Sequence, residues 1–448
     1  HQRPLGYEPS ELLLLYPATI LYNETMFIAI LGFGREGKAV LKFLKKSPKY
    51  KHSKITILDR TISPDYLTNL NNFDIIFRSP GVPFNLPEIQ SAIKNGVEVS
   101  SATKLFFQHC PSTVIGITGT KGKSTTATLI YKILKASRFD AHLAGNIGKP
   151  ALEILPKLSK KSLVVLELSS FQLQDLQQSP QIAVILDIFP DHLDAHKSWG
   201  EYRDAKSAIA RHQKRNNFIF YFSNNKTAEK IAKNSRGKKI AVACQDPSPA
   251  KNILMAKTVA KYFGCPQNII KTTVKNFLGL ENRLELTRKI MVRLAHHKNK
   301  FTIYFYNDSA ATNPEATVAA IRSFNPQSQS IILIAGGKDK NLSYAPLAKT
   351  IKKSGNVKQV VLFGENKYKI QQRLRVNNGE LKIKMCDNLQ SATQYAYKTA
   401  EYLTANYNPP TGRPITILFS PASASFDMFK DYKERGRQFK TIVRNIEI

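Results

Sequence analysis

A glycine-rich loop between an apolar strand and a helix carries the residue types that bind nucleotide phosphates. The loop reads Thr118-Gly119-Thr120-Lys121-Gly122-Lys123-Ser124-Thr125. Glycines let backbone N–H groups face phosphate oxygens, the Lys123 ammonium can neutralise the terminal phosphates, and the Ser124 hydroxyl can ligate Mg²⁺. The Walker A spacing G-x-x-x-x-G-K-S would need glycine at position 117, where this chain has Ile117. We therefore predict a shortened phosphate loop over residues 119–125; the alternative is an ordinary strand–helix turn.

Three further side chains are candidates for metal or substrate contacts. Glu167 ends an apolar strand, where a carboxylate is costly unless it meets a cation. A Mg²⁺ ligand beside the phosphates explains it, and a strand-end salt bridge is the alternative. His192 follows another apolar strand, at a place for a second metal ligand or a substrate contact. Lys206 lies in a predicted helix, where composition alone predicts a solvated lysine.

A second glycine motif occurs near the start of the sequence. Gly32-Phe33-Gly34-Arg35-Glu36-Gly37 follows a predicted strand and opens a helix, and Asp59 lies downstream at the distance of a ribose-binding acid. Taken alone, the pattern is a dinucleotide fingerprint and favours an NAD-dependent oxidoreductase. A lone motif of this kind is weakly specific. The downstream phosphate loop makes a different use of this region the better interpretation.

Alternating strands and helices position these motifs in three regions. At 448 residues, the chain has the length of about three domains. We predict a first domain (1–111), a central domain (112–280) and a C-terminal domain (281–448). The predicted strands are 26–31, 54–58, 73–77, 113–118, 163–168, 182–186, 331–335, 359–363 and 415–420, and the predicted helices include 38–46 and 125–136. Strand–helix alternation in all three regions predicts the α/β fold class with mostly parallel sheets.

Composition narrows the function classes. The formal net charge is +33, but the lysines are spread along the whole chain and no nucleic-acid-binding motif accompanies them. We therefore expect no nucleic acid partner; a nucleic-acid-binding P-loop ATPase is the open alternative. No apolar run reaches the roughly 18–20 residues that span a bilayer, so we expect no membrane insertion. The four cysteines are scattered, which fits a reducing cytoplasm.

Further motifs follow the phosphate loop in a fixed order. They are Gly145-Asn146-Ile147-Gly148, Glu167-Leu168-Ser169-Ser170-Phe171-Gln172-Leu173, Asp191-His192-Leu193-Asp194, Tyr202-Arg203-Asp204-Ala205-Lys206, Asn282-Arg283-Leu284-Glu285, Asn307-Asp308-Ser309-Ala310-Ala311-Thr312-Asn313 and Ser420-Pro421-Ala422-Ser423-Ala424-Ser425-Phe426-Asp427. In this order they resemble the Mur ligase superfamily along essentially the whole chain. They are most similar to its D-glutamate-adding family.

The resemblance implies an ATP-dependent amide ligase with three α/β domains. The first would be Rossmann-like, the second a P-loop-type ATPase with a mostly parallel sheet, and the third Rossmann-like. The implied substrates are UDP-N-acetylmuramoyl-L-alanine and D-glutamate, joined through an acyl phosphate in peptidoglycan precursor synthesis. ATP and two Mg²⁺ ions would be bound, and the C-terminal domain would close over the acyl phosphate. We also expect a cytoplasmic monomer.

The resemblance also assigns residues. It implies that Lys206 is carbamylated, so that its new carboxylate holds the second Mg²⁺. The implied catalytic residues are Lys123, Glu167, His192 and Lys206, and the implied metal ligands are Ser124, Glu167, His192 and Lys206. ATP would contact Gly119, Thr120, Lys121, Gly122, Lys123, Ser124, Thr125, Arg283 and Asp308. The UDP substrate would contact Gly32, Phe33, Gly34, Arg35, Asp59, Arg60, Ser79, Pro80, Gly81, Asn146, Ser169 and Gln172. The amino acid would contact Thr312, Lys340, Ser425 and Tyr432.

The chain departs from the family pattern at two places. The family motif is N-D-S-K-A-T-N, and this chain has Ala310 at the position of the lysine. The substitution removes a cation near the expected amino acid. Either a nearby basic residue substitutes, or the amino acid or the rate differs. The stretch 287–300 is basic and longer than usual, and a hairpin with a solvated face is the simplest interpretation. Another ligase of the superfamily, adding a different amino acid or acting on folate, stays open.

Overall fold

The computed structural model describes residues 25–190, 196, 198–244, 250–277, 279–293, 300–324, 329–340, 342–377, 381–406 and 414–447. Its strands are β1 Phe27–Leu31, β2 Lys54–Leu58, β3 Ile75–Arg78, β4 Glu98–Ser100, β5 Thr113–Thr118, β6 Ala141–Gly145, β7 Leu163–Glu167, β8 Ile182–Ile185, β9 Phe218–Phe222, β10 Lys238–Val242, β11 Glu285–Arg293, β12 Lys300–Asn307, β13 Ser330–Gly336, β14 Val357–Phe363, β15 Lys382–Met385 and β16 Ile415–Phe419. Its helices are α1 Arg35–Lys46, α2 Pro87–Lys94, α3 Ala102–His109, α4 Lys123–Ala136, α5 Ala151–Ile154, α6 Ser170–Leu173, α7 Trp199–Arg211, α8 Lys226–Lys233, α9 Ala250–Tyr262, α10 Gln267–Lys275, α11 Pro314–Arg322, α12 Ala345–Ser354, α13 Lys367–Asn377, α14 Leu389–Asn406 and α15 Tyr432–Arg444. Short 3₁₀ turns occur at Pro48–Tyr50, Leu70–Asn72 and Leu155–Lys157.

The described residues form two compact units. Unit 1 takes its residues from 1–121 and 140–243, and unit 2 from 122–139 and 244–448. Unit 1 contains two sheets of parallel strands, and unit 2 contains one mixed sheet. The α/β class with mostly parallel sheets is therefore confirmed. The limits of the three expected domains stay a prediction.

The first sheet of unit 1 has the strand order β2-β1-β3-β4. Strands buried on both faces are apolar at every position rather than at alternate ones. In β1, Ile28 and Ile30 enter one apolar core, whereas Ala29 and Leu31 enter another. From β1 the chain continues to β2 on one side and then to β3 on the other, so the strand order reverses beside β1. Ligands of such sheets bind outside the carboxyl ends of the strands at this point. The first glycine motif lies there, at the end of β1.

The second sheet of unit 1 has the order β10-β9-β8-β5-β7-β6. Its central strand β5 pairs in parallel with β7 and β8, with Ile117 opposite Glu167 and Thr118 opposite Ile185. The carboxyl ends of these three strands therefore meet at one edge. This edge receives the start of the phosphate loop and the Glu167 side chain.

The sheet of unit 2 has the order β11-β12-β16-β13-β14-β15. Only β11 among these strands runs antiparallel to its neighbour. Apolar cores cover both faces, since Ile332 and Ile334 of β13 enter one core and Ile331 and Leu333 enter the other. Helix α4, which follows the phosphate loop, belongs to unit 2 and packs against α9 and α10.

The basic stretch 287–300 contributes a hairpin, as expected. Strands β11 and β12 pair antiparallel with Arg293 opposite Lys300, and residues 294–299 lie outside the described part of the chain. Its face is not wholly solvated, because Arg288 donates to the backbone oxygens of Val443 at 2.6 Å and Ile446 at 2.9 Å. A cation at a helix C-terminus satisfies carbonyls that the helix leaves free. One arginine of the stretch therefore caps α15.

Several predicted element limits differ from the observed ones by one to three residues. The third strand extends over Ile75–Arg78 rather than 73–77, because Arg78, with 2% of its surface exposed, pairs with Leu31 of β1. Helix α1 begins at Arg35 rather than at residue 38, directly after the N-cap Gly34. Among the described residues, no helix is both long and apolar enough to cross a membrane.

Candidate active site

The phosphate loop begins in unit 1 at the carboxyl end of β5. Gly119 has φ of +156°, and a Cβ atom there would come within 2.7 Å of the Leu186 Cβ, so only glycine fits this approach. The Thr120 amide donates to the Asp187 oxygen at 2.8 Å. These contacts hold the loop against the segment that follows β8 and leave Lys121 exposed.

The loop continues in unit 2 at the N-terminus of α4. Gly122 is the N-cap, with φ of +83°, and as a glycine it has no side chain of its own to cap the first turn. The N–H groups and the dipole at a helix N-terminus favour an anion. Lys123 and Thr125 are half-buried in this first turn, and the Ser124 hydroxyl accepts from Arg283 Nη1 at 3.4 Å. The geometry suits phosphate binding.

Asn252 of α9 lies against this glycine and was not predicted from the sequence. A Cβ atom at Gly122 would come within 2.3 Å of Asn252 Oδ1, and Asn252 is buried with 6% exposure. The helix carrying it has no motif that marks it. Its nearness to the loop comes from the packing of α9 on α4 alone.

Glu167 ends β7 with 1% of its surface exposed. Asn146 Nδ2 donates to its Oε1 at 3.2 Å, while Oε2 has no hydrogen-bond partner among the described residues. An unpartnered buried carboxylate oxygen is costly, and an oxygen ligand of this kind suits Mg²⁺. The side chain therefore fits a metal ion better than the strand-end salt bridge considered above.

Lys206 is buried in α7, with 1% exposure, and is not a solvated lysine. Its ammonium donates to the Gly119 oxygen at 2.9 Å and to Thr118 Oγ1 at 3.4 Å. It also lies 4.7 Å from the centre of the Tyr202 ring, whose hydroxyl is 3.1 Å from Thr120 Oγ1. The helix thus brings Lys206 to the start of the phosphate loop. His192, the remaining predicted metal ligand, lies outside the described residues.

Nine of the twelve residues predicted to hold the UDP substrate follow the ends of β1, β2 and β3, and the other three, Asn146, Ser169 and Gln172, follow β6 and β7. The Phe33 amide donates to Asp59 Oδ2 at 2.6 Å, and Ser79 Oγ donates to the Gly32 oxygen at 2.6 Å. The Phe33 amide and the Thr61 hydroxyl and amide lower the pKa of Asp59 to about 2. Asp59 therefore stays anionic and ties the glycine turn to β2. No side chain caps α1 at Gly34, as expected of an anion site.

The other members of this set differ in their surroundings. Arg60 and Gly81 are exposed and Pro80 is half-buried. Arg35 donates to the Gly148 oxygen at 2.5 Å, which joins α1 to the motif that contains Asn146. Ser169 caps α6 in a capping box with Gln172. Three of the predicted substrate contacts, Arg35, Ser169 and Gln172, thus have structural hydrogen bonds of their own.

A buried acid accompanies them. Gln172 Nε2 donates to Glu36 Oε1 at 2.6 Å, and burial raises the pKa of the Glu36 carboxyl despite that bond and the nearby arginines. Arg78, also buried, pairs with Asp175 at 3.3 Å. These contacts link the two sheets of unit 1.

Asp308 follows β12 in unit 2 and is 7% exposed. Its Oδ1 accepts from the Leu284 amide at 3.2 Å and its Oδ2 from the Ser420 hydroxyl at 2.7 Å. Burial raises its pKa to about 7, although both hydrogen bonds and the Arg283 charge act in the opposite direction. The bonded segment is strained, since Asn282 and Leu284 have φ of 61° and 45°.

The residues predicted for the amino acid lie on loops after adjacent strands of unit 2. Thr312 follows β12, Lys340 follows β13, Ser425 follows β16 and Tyr432 opens α15. Ser425 is buried, Thr312 and Tyr432 are half-buried, and Lys340 is exposed. Because β16 pairs with both β12 and β13, their carboxyl ends face one edge of the sheet. The topology thus brings these loops to one edge of the sheet. Of the four residues, only Tyr432, which opens α15, belongs to a helix or strand.

Comparison with known proteins defines the class. Residues 117–311 match the family model of the Mur ligase middle domain, and residues 292–404 match that of the Mur ligase glutamate ligase domain. The solved UDP-N-acetylmuramate-alanine ligase of Thermotoga maritima aligns with a TM-score of 0.51 at 15% identity, over 94% of this chain and 99% of that one. The folylpolyglutamate synthase of Mycobacterium tuberculosis aligns with a TM-score of 0.54 at 12% identity, over 77% and 95%. These two likenesses concern the fold alone. The chain is a Mur ligase.

Its place within that class follows from curated relatives. The UDP-N-acetylmuramoylalanine–D-glutamate ligase of Acetivibrio thermocellus is 36% identical over 426 residues, which is 86% of each chain. The enzyme of the same name from Clostridium tetani is 30% identical over 475 residues, covering 95% of this chain and 98% of that one. The chain belongs to the UDP-N-acetylmuramoylalanine–D-glutamate ligase family, which favours the ligase over the oxidoreductase interpretation of the first glycine motif.

Proposed function

We propose that this chain joins D-glutamate to UDP-N-acetylmuramoyl-L-alanine, with conversion of ATP to ADP and phosphate, in peptidoglycan precursor synthesis. Family membership supports the reaction. The structural observation that carries the proposal is the phosphate loop: its glycines stand where a side chain would clash, and the N-terminus of α4, with glycine as its N-cap, follows. The substrate carboxylate attacks the γ-phosphate, which gives an acyl phosphate and ADP.

The side chains of the loop offset negative charge during this step. Lys123 opens α4, so its ammonium and the positive end of the helix dipole act on the same phosphates. Arg283, which donates to Ser124, adds a second cation within unit 2. Preorganised charges of this kind stabilise a transferring phosphoryl group because they need no reorientation as the charge develops.

The family resemblance assigns Mg²⁺ to Ser124, Glu167 and His192, and the buried Glu167 Oε2, which has no hydrogen-bond partner among the described residues, supports the part of Glu167. Bound Mg²⁺ supplies positive charge that polarises the phosphate oxygens. Lys206 would join them after carbamylation, in which its neutral amine attacks CO₂, a C–N bond forms and one proton is released. Its burial beside Gly119 supports this, since it places the amine at the phosphate loop.

The second half of the reaction involves the amino acid. The D-glutamate amine attacks the acyl carbon, and phosphate leaves from the tetrahedral intermediate. Thr312 and Ser425 offer hydroxyl donors and Lys340 a cation, which are the groups that recognise carboxylates. Their loops lie at one edge of the unit 2 sheet.

Phosphate release from ATP tests the proposal. The full chain is incubated with UDP-N-acetylmuramoyl-L-alanine and one amino acid at a time: D-glutamate, L-glutamate or L-lysine. We expect release that depends on the UDP substrate and is highest with D-glutamate. Preference for another amino acid would overturn the acceptor assignment alone, whereas release that ignores the UDP substrate would overturn the ligase assignment.

A further inference from the structure

Arg435 of α15 is a fully buried cation that no motif predicted. None of its surface is exposed, yet its acceptors are all neutral oxygens. Nε donates to Ser309 Oγ at 3.1 Å, Nη1 to the Ala424 oxygen at 3.0 Å, and Nη2 to the Ser309 oxygen at 2.9 Å and the Ser423 oxygen at 3.0 Å. Burying a charge is expensive unless it is well hydrogen-bonded. Four such bonds explain how this one is tolerated.

These bonds join the loops that carry the predicted amino-acid contacts. Ser309 precedes Thr312 in the loop after β12, whereas Ser423 and Ala424 precede Ser425 in the loop after β16. The loop after β13 also abuts the guanidinium, since a Cβ atom at Gly337 would lie 3.1 Å from Arg435 Nη1. Arg435 therefore lies against all three loops.

The loop that Arg435 contacts through Ser309 also carries an unusual position. The residue after Ser309 is Ala310, where the family motif has lysine. Burial lowers the pKa of Arg435 to about 10, against the attraction of Asp427, so the guanidinium stays protonated near neutral pH. A charge surrounded by neutral acceptors and low-dielectric protein is weakly screened by solvent and salt.

We propose that Arg435 positions the amino-acid-binding loops and supplies, in place of the lysine missing at 310, the positive charge that selects an amino acid with a second carboxylate. This inference rests on the proposed function. D-Glutamate carries one net negative charge, whereas D-glutamine has nearly the same shape and no net charge. The difference between their KM values therefore measures the electrostatic part of recognition, and the KM for ATP serves as an internal reference.

The test compares Arg435→Gln, Arg435→Lys and the control Arg288→Gln. Arg288 also donates to backbone carbonyls of unit 2, but at the far end of α15. In Arg435→Gln we expect the preference for D-glutamate over D-glutamine to fall at least about tenfold, which corresponds to about 1.4 kcal/mol. Arg435→Lys keeps the charge but not the planar fork, so both KM values should rise while their ratio is kept. Arg288→Gln should leave the ratio unchanged.

A second-site variant separates charge from folding. Ala310→Lys in the Arg435→Gln background should restore the ratio, and in the wild-type background it should change the ratio much less. If Arg435→Gln does not fold, the comparison is made in Arg435→Lys, where Ala310→Lys should leave the ratio unchanged; a large gain there overturns the proposal. An unchanged ratio in folded Arg435→Gln overturns it too. A wild-type chain inactive with D-glutamate would instead contradict the proposed function.

Discussion

Asp308 provides a pH dependence of unfolding whose size follows from its surroundings. Burial raises its pKa from 3.8 to about 7 in the folded chain, whereas the unfolded chain titrates at the ordinary value. The folded state therefore holds an extra proton between these pH values. A raised folded-state pKa adds stability that is complete below about pH 4 and is lost as the pH rises through about 7. Three pKa units at about 1.4 kcal/mol each amount to about 4 kcal/mol.

Asp308→Asn removes this titration while keeping the hydrogen bonds. The amide oxygen can accept from the Leu284 amide, and the amide nitrogen can donate to the Ser420 hydroxyl, so the turn at residues 282–284 keeps its supports. We expect the free energy of unfolding of the variant, relative to wild type, to increase by about 3 kcal/mol between pH 4.5 and pH 8, because part of the titration lies below pH 4.5. At pH 8 the variant should be the more stable protein.

Urea unfolding followed by far-UV circular dichroism at each pH measures this difference. The single tryptophan, Trp199, belongs to unit 1, whereas residue 308 belongs to unit 2, so its fluorescence reports a unit other than the substituted one. Parallel pH profiles for the two proteins would refute the reasoning. A difference of opposite sign, with wild type gaining on the variant as the pH rises, would show that Asp308 is ionised in the fold.

The remaining predictions concern the proposed chemistry. Lys123→Ala should lower kcat by at least about a hundredfold with an unchanged circular dichroism spectrum; near-normal turnover in the folded variant would remove the loop from the mechanism. Lys206→Ala and Lys206→Arg should both lose most activity in the phosphate-release assay, and formate or acetate should partly restore Lys206→Ala; full activity of Lys206→Arg would contradict a carbamate. Ala310→Lys should be tolerated and should change the KM for the amino acid more than the KM for ATP; a change in the KM for ATP alone would show that residue 310 does not lie near the amino acid.

Local sequence patterns predicted the strands whose ends carry candidate functional residues. Strand β5 occupies residues 113–118, as expected, because an apolar run meets a glycine that must take positive φ. Glu167 was predicted to end an apolar strand and does end β7, and its buried Oε2 has no hydrogen-bond partner among the described residues. Such features depend on residues close together in the sequence, so one sequence is enough to see them.

The rest depends on partners far apart in the chain. The predicted third strand ended at residue 77, whereas β3 includes Arg78, whose buried charge pairs with Asp175 across the two sheets of unit 1. Lysine is a common residue in this chain and was expected to be solvated, but Lys206 is buried because α7 packs beside β5. Asn252 and Arg435 act on the glycine loop and the amino-acid loops through contacts that only the tertiary fold creates. The periodicity and spacing of residues in the sequence do not predict these contacts.

The place of β16 in the unit 2 sheet has a consequence for synthesis of the chain. Strand Ile415–Phe419 lies between β12 and β13, which precede it by about a hundred residues of sequence. A ribosome releases β12 and β13 long before the strand that joins them, so each has an open apolar edge in the meantime. Open strand edges template pairing with other chains, and long-range strand insertion is slow. The nascent chain is therefore most prone to aggregate after β15 has emerged and before β16 has been made.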